Sequence, residues 1–261
     1  MKILFIGDIV GKPGRRAVRE LVPEIISRYG IDFTIGNCEN AAAGFGVTRD
    51  IVEELYESHI QILTSGNHIW DKKEIREFVE DYETLLRPAN YPQGTPGWGS
   101  VVMPHSSGIS VGVINLMGRV FMAPLDCPFR TAEKEIEKLK RRARIIGVDI
   151  HAEATSEKEA LGWFLDGRVS AVVGTHTHVQ TADEKILPEG TAYITDAGMT
   201  GPFNSIIGIR KDIILERFLV QIPNSFVVAK DDIRLQGVIL NIDEASGKAK
   251  DIQRLTVRLA T

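Results

Sequence analysis

Two cysteines in 261 residues leave no material for a disulfide scaffold or a cysteine-rich zinc module. Cys38 and Cys127 lie far apart and form no Cys-x-x-Cys, so a reduced, cytoplasmic protein is expected. Positive charge is not in surplus: 31 Lys and Arg stand against 35 Asp and Glu, with a net charge of -4 and no long basic run. A surface that tracks nucleic-acid phosphates is therefore not expected. Apolar residues nowhere run together for the roughly 18 positions that a membrane helix needs. Met1 to Asp8 reads as a strand ending in an acid, not as a secretory signal.

What is present is an ordinary globular composition, 43% apolar and 25% charged. Size scaling gives such a chain a folded surface of roughly 11,000 Å² and buries about 70 to 75% of the unfolded surface, enough for one large core. With no repeat, low-complexity tract or linker in view, one domain over residues 1–261 is expected.

Apolar periodicity alternates along the first third. Lys2 to Gly7 is a short apolar strand, followed by a helix with Pro13 near its first position and Val18, Leu21, Val22, Ile25 and Ile26 at helical spacing until Gly30. Asp32 to Gly36 and Ile60 to Ser65 read as strands; Thr48 to Ser58 and Lys72 to Tyr82 read as helices. Pro and Gly crowd residues 88–99, and strands follow at Ser100 to Met103, Ile109 to Leu116, Ile145 to Ile150 and Val169 to Gly174. Helices are expected from about Thr131 to Arg144 and from Ser156 to Leu165, the second opened by a capping box at Ser156 and Glu159. Thr191 to Thr195, Ser225 to Ala229, Ile233 to Ile242 and Ile252 to Leu259 read as strands, with Ser246-Gly247 as a hairpin turn. The pattern predicts an α/β fold with two packed sheets and helices outside them.

Polar residues collect where these strands end. Asp8 follows the first strand, Glu39 and Asn40 the second, Asn67 and His68 the third; His151 follows Ile150, and His176 and His178 follow Gly174. Strand carboxyl ends line one edge of a parallel sheet, where ligands bind. Each residue alone has an ordinary structural use as a turn or cap residue; their shared position is what points to a site. In an extended segment His176 and His178 would face one side with Thr177 turned away, which is metal-ligand spacing. With His151, Asp8, Glu39 and an Asn carbonyl they make a mixed nitrogen and oxygen set suited to Zn, Mn or Fe. So many ligands exceed one four-coordinate zinc and suit two metals sharing a carboxylate. Two carboxylates leave two divalent ions in cationic excess, which favours an anionic phosphoester and a hydroxide nucleophile.

Gly7-Asp8, Gly66-Asn67-His68 and Gly174-Thr-His176-Thr-His178 resemble the motifs of the calcineurin-like metallophosphoesterases. That resemblance implies a four-layer αββα sandwich, two mixed β-sheets flanked by helices. Two departures are informative. Asp8 is followed by Ile9-Val10, where the superfamily has Asp-x-His, and the second motif reads Gly36-Asn37-Cys38-Glu39-Asn40 in place of Gly-Asp and a second Asp. Together with His151-Ala-Glu-Ala-Thr-Ser-Glu157 and Asp196-Ala-Gly-Met-Thr-Gly-Pro202, they make the chain similar to the YmdB-type branch of bacterial phosphodiesterases over nearly its whole length.

The resemblance implies a cytoplasmic, homo-oligomeric, dinuclear enzyme acting on cyclic nucleotides, 2′,3′-cyclic AMP above all and 3′,5′-cyclic AMP as a further candidate. Glu39 would bridge the metals; Asp8, Asn40 and His178 would complete one and Asn67, His151 and His176 the other. An amide in place of an imidazole makes a harder site, favouring Fe or Mn, with Zn compatible. His68 would be the general acid that protonates the leaving ribose oxygen. A phosphomonoesterase or nucleotidase on the same metals is the alternative enzyme; a regulatory scaffold retaining the metals is the alternative from another class. Trp70, just past His68, and residues 118–130 are candidates for base stacking and for a lid, against ordinary packing roles.

Overall fold

The computed structural model describes residues 1–260. In chain order the strands are β1 (Lys2–Ile6), β2 (Asp8–Ile9), β3 (Phe33–Asn37), β4 (Ile62–Thr64), β5 (Ser100–Pro104), β6 (Ser110–Met117), β7 (Ile145–His151), β8 (Ala171–Thr175), β9 (Lys185–Ile186), β10 (Ala192–Ile194), β11 (Met199–Pro202), β12 (Ile233–Ile242) and β13 (Ala249–Arg258). The helices are α1 (Gly11–Tyr29), α2 (Arg49–Glu57), α3 (Ile75–Phe78), α4 (Pro128–Leu139), α5 (Thr155–Phe164) and α6 (Lys211–Val220).

One seven-stranded sheet runs β2-β11-β12-β1-β3-β4, with β13 on the other side of β12; the six-stranded sheet runs β5-β6-β7-β8-β10-β9. Both are mixed. β1, β3 and β4 are parallel and β12 is antiparallel to β1, while β6, β7, β8 and β10 are parallel between antiparallel edges β5 and β9.

Strand alternation explains the layers. Side chains i and i+2 share a face, so Ile3 and Phe5 of β1 enter the core between the sheets while Leu4 and Ile6 enter the core under α1 and α2. In β6, Val111 and Val113 face the inter-sheet core, and Ile114 and Leu116 pack beneath α4 and α5 with Ile136, Leu139 and Leu161. The result is the αββα sandwich, with apolar side chains filling both faces of the central strands. Its accessible surface, 11675 Å², is close to the size-scaling value.

Several local expectations are corrected. Ser225 to Ala229 is not a strand; only an isolated bridge joins Val228 to Ile209. The helix expected over Lys72 to Tyr82 shrinks to α3 and a 3₁₀ turn, Val79–Asp81. Ile75, Phe78 and Val79 reach the core, but Lys73 and Glu74 are exposed and have no apolar face to bury. α5 begins after Ala154 without a side-chain cap bond, so the capping box does not form. α1 starts at Gly11, placing Pro13 inside the first turn, where a missing N–H costs nothing. α6 gave no amphipathic signal because only Ile214 of its residues is buried. The Ser246-Gly247 turn closes the β12–β13 hairpin, with Gly247 at φ 75°.

Candidate metal centre

The carboxyl ends of parallel strands from both sheets meet at one rim. β3 ends just before Glu39 and β4 just before Asn67, while His151 is the last residue of β7 and His176 follows β8 directly. Side chains stitch this rim across the sheets. Asp149 accepts hydrogen bonds from Asn37 Nδ2 at 3.2 Å, from the Thr64 hydroxyl and from Thr175 Oγ1 at 2.7 Å. The Asn115 amide holds the Ser65 backbone on both sides, accepting from its N–H and donating to its carbonyl, each at 2.9 Å. Beside it, Gly66 is needed for close approach: a Cβ there would lie 2.1 Å from His151 Cδ2.

Four donor atoms converge. His151 Nε2 lies 3.0 Å from Glu39 Oε1, 3.1 Å from Asn67 Oδ1 and 3.0 Å from His176 Nδ1. The opposite ring nitrogen, His151 Nδ1, is 2.9 Å from Thr175 Oγ1, whose own proton goes to Asp149. Nδ1 therefore donates, and the Nε2 lone pair of the neutral ring faces the Glu39 and Asn67 oxygens and, with the His176 proton on Nε2 toward Glu153 Oε2 at 3.2 Å, the His176 Nδ1 lone pair as well. Such a set repels itself unless a cation or a proton lies among its members. Glu39, His151 and His176 offer atoms within 4.8 Å of one another, a group that could hold a metal ion.

Of the three buried side-chain oxygens without a hydrogen-bond partner among the described residues, one is Glu184 Oε2 and the other two, Asp8 Oδ1 and Asn40 Oδ1, are at this site. Each has its other atom occupied: Asp8 Oδ2 accepts the His176 N–H at 3.0 Å, and Asn40 Nδ2 donates to the Gly44 carbonyl at 2.9 Å. Orphaned acceptors of this kind are costly and call for a ligand. The donor set therefore fits a metal ion on the chemistry of its atoms alone.

Electrostatics agree. Burial alone would lower the His151 pKa, but Glu39, Asp8 and Asp149 raise it to about 9. Burial likewise raises Glu39, yet His151 and the His68 N–H outweigh it and bring the carboxyl to about 2. Burial dominates at Asp8, whose pKa is raised against the pull of His178 and His151; His176, buried beside the His151 charge, is pushed down to about 3. A proton on His151, or a cation in its place, supplies the positive charge that Glu39 faces.

His176 and His178 are reached differently from the expected extended segment. β8 stops at Thr175, and both histidines are left-handed, with φ of 102° and 63°. Non-glycine residues take this region at a cost that the surroundings must hold. The holder is Asp196, which accepts the Thr177 N–H at 3.1 Å and the Thr177 hydroxyl at 2.8 Å and is itself paired at 2.8 Å with the buried Lys158 ammonium. Thr177 turns away as expected, but by this clamp. Among the described residues His178 makes no hydrogen bond to the His151 cluster; its Nδ1 lies 3.0 Å from the Ile207 carbonyl, though it is near enough to Asp8 to pull against the rise of that carboxyl.

His68 is half-buried, with its N–H on Glu39 Oε2 at 3.0 Å and its Nδ1 on Asp71 Oδ2 at 2.8 Å. Asp149, Thr175, Asn115, Asp71 and Lys158 were missed from sequence, and Asp196 stood out only as the start of a family motif, without its partner. Asp149 did carry a signal, an acid inside an otherwise apolar strand two residues before His151. Trp70 meets Tyr91 edge to face at 5.9 Å.

Among known proteins the chain is 52% identical over 257 residues to the 2′,3′-cyclic-nucleotide 2′-phosphodiesterase of Bacillus subtilis (strain 168), covering 98% of this chain and 97% of that protein. A crystal structure of a hypothetical protein from Thermus thermophilus matches with a TM-score of 0.92 at 43% identity, covering 99% of each chain. That of a novel phosphatase from Mycoplasma pneumoniae matches with a TM-score of 0.92 at 34% identity, covering 99% of this chain and 93% of the other. Residues 4–255 match the family described as YmdB-like protein, and with these identities the chain belongs to that family.

Proposed function

We propose that this chain opens cyclic nucleotides, 2′,3′-cyclic AMP first and 3′,5′-cyclic AMP as a second substrate, at a centre of two transition-metal ions. It is a phosphodiesterase, a phosphoric ester hydrolase. The observation that carries the mechanism is the convergence of lone-pair atoms from Glu39, Asn67, His151 and His176 beside the unpartnered Asp8 and Asn40 oxygens.

Glu39 would bridge the ions. Asn67, His151 and His176 would complete one set of ligands, and Asp8, Asn40 and His178 the other. When bound, two such ions supply a hydroxide at neutral pH and neutralise phosphoryl charge. Fe or Mn suits the harder amide-containing set, with Zn compatible. The chain's own residues do the rest. The Asp149–Thr175–His151 relay fixes the ring so that Nε2 faces the centre, as hydrogen-bonded partners of metal ligands do. His68, with Nδ1 held by Asp71, presents Nε2 as proton donor; as the P–O2′ bond breaks, the 2′-oxygen takes that proton.

One domain carries the whole activity. The two cysteines are free and Cys38 is buried, which supports a reducing, cytoplasmic setting. Among the described residues no helix is long and apolar enough to cross a membrane. Self-association is supported by Leu215, Phe218 and Leu219, exposed together on α6.

The test is a product assay on 2′,3′- and 3′,5′-cyclic nucleotides and on nucleoside monophosphates, with Mn or Fe added. Turnover of monophosphates in preference to diesters would make the protein a nucleotidase. Metal analysis of protein purified without chelator should give close to two ions per chain, and Glu39→Gln should lose them; a clean single-ion stoichiometry would overturn the dinuclear reading.

A further inference from the structure

We propose that Phe45 and Phe226 form the platform against which the substrate's nucleobase packs, a reading that rests on the cyclic-nucleotide activity above. The Phe45 ring centre lies 4.8 Å from that of His68, with the planes at 66°. Phe226 stacks on Phe45 at 5.8 Å and 30°, and the Arg217 guanidinium covers the Phe226 ring at 4.8 Å. The series runs outward from the proton donor. Neither phenylalanine belongs to any of the three cores, and both are only half-buried.

Substrate chemistry places the base here. In a 2′,3′-cyclic nucleotide the base hangs from C1′, the neighbour of the carbon that carries the leaving 2′-oxygen. A histidine that delivers a proton to that oxygen therefore sits within one sugar ring of the base. An aromatic surface flanking His68 meets the base, not the phosphate, and aromatic rings take bases of any identity by stacking.

The loop that carries Phe45 is built to hold it there. Ala42 N–H bonds to the Gly46 carbonyl at 2.9 Å and Gly44 N–H to the Asn40 carbonyl at 3.1 Å. The Asn40 side-chain amide donates to the Gly44 carbonyl at 2.9 Å, tying the loop to the metal centre's own residue. Ala43, Gly44 and Gly46 are all left-handed, at φ 59°, 100° and 72°. Ala43 adopts this conformation without glycine's freedom, which is the kind of held backbone that marks functional loops.

The experiment compares kcat/KM for 2′,3′-cyclic AMP, 2′,3′-cyclic CMP and 1-O-methylribose 2,3-cyclic phosphate, which has no base. It uses the metal-loaded protein, Phe45→Ala and Phe45→Leu; the second variant keeps apolar volume should the first fold poorly. Phe45→Ala should lower the preference for cyclic AMP over the baseless ester by about tenfold, mostly through KM, with a smaller change for cyclic CMP and an intermediate one in Phe45→Leu. Equal losses on nucleotide and baseless ester would mean that Phe45 braces His68, and no loss on any substrate would mean that the base lies elsewhere; either result overturns the platform. Failure of the unmodified protein to open any of the three esters would instead remove the cyclic-nucleotide reading, and the platform with it.

Discussion

Replacing Lys158 by Met removes one charge from a pair in which both side chains are fully buried, 2.8 Å apart. Breaking such a pair costs about 3–5 kcal/mol, because the survivor is left charged in a poor solvent. The structure fixes which survivor suffers more. Without Lys158, Asp196 keeps the Thr177 N–H at 3.1 Å, the Thr177 hydroxyl at 2.8 Å and the Gly198 N–H at 2.9 Å. Without Asp196, the Lys158 ammonium loses its one hydrogen-bond partner among the described residues, and those other donors are stranded as well. Lys158→Met should therefore fall near 3 kcal/mol and Asp196→Leu beyond 5 kcal/mol, with the double variant less damaged than Asp196→Leu alone. Urea unfolding at pH 7, with chelator in every sample so that metal loss does not enter, reads these costs. At a slope of about 3 kcal/mol per molar urea, Lys158→Met shifts the midpoint by about 1 M. An Asp196→Leu variant no less stable than Lys158→Met would refute the reasoning. So would a Lys158→Met cost below about 1 kcal/mol.

Three further outcomes are expected. His68→Gln should slow cyclic-nucleotide opening about 10²- to 10⁴-fold but cost under about tenfold on bis(p-nitrophenyl) phosphate, whose leaving group needs no proton; equal losses would remove the donor role. Asp183 is partly buried, which raises its pKa, yet hydrogen bonds from Thr181 and Thr195 outweigh burial and hold it below the ordinary carboxyl value of 3.8. A carboxyl lowered on folding contributes stability that is complete above the unfolded value and fades as pH falls through the folded one. The urea midpoints of the native protein and Asp183→Asn should thus differ by a constant amount above about pH 5 and draw together as pH falls below it, and a gap that widens in acid would contradict this. Finally, burial, with Glu39 adding to it, pushes the Cys38 thiol far above its ordinary range. A thiol reagent should label Cys127 in the folded protein and Cys38 only after denaturation, as counted by mass spectrometry.

The sequence by itself determined the layering and the composition of the rim. The unbroken apolar run Ile3-Leu4-Phe5-Ile6 can be satisfied only by cores on both faces of a strand. Polar residues at the carboxyl ends of parallel strands collect at one edge of each sheet, which is why Glu39 and Asn67 in one sheet and His151 and His176 in the other were legible as edge residues; that the two edges meet at one rim is set by the packing of the sheets. Tertiary structure decided the rest, since it depended on groups distant in the chain. Asp149 gains its role from Asn37, Thr64 and Thr175, and the left-handed turn at His176 and His178 exists because Asp196 and Lys158 reach it from other elements. Periodicity reports which face of an element is buried; it carries no information on which carboxylate from another strand will meet a given N–H, and that pairing sets the geometry of the site.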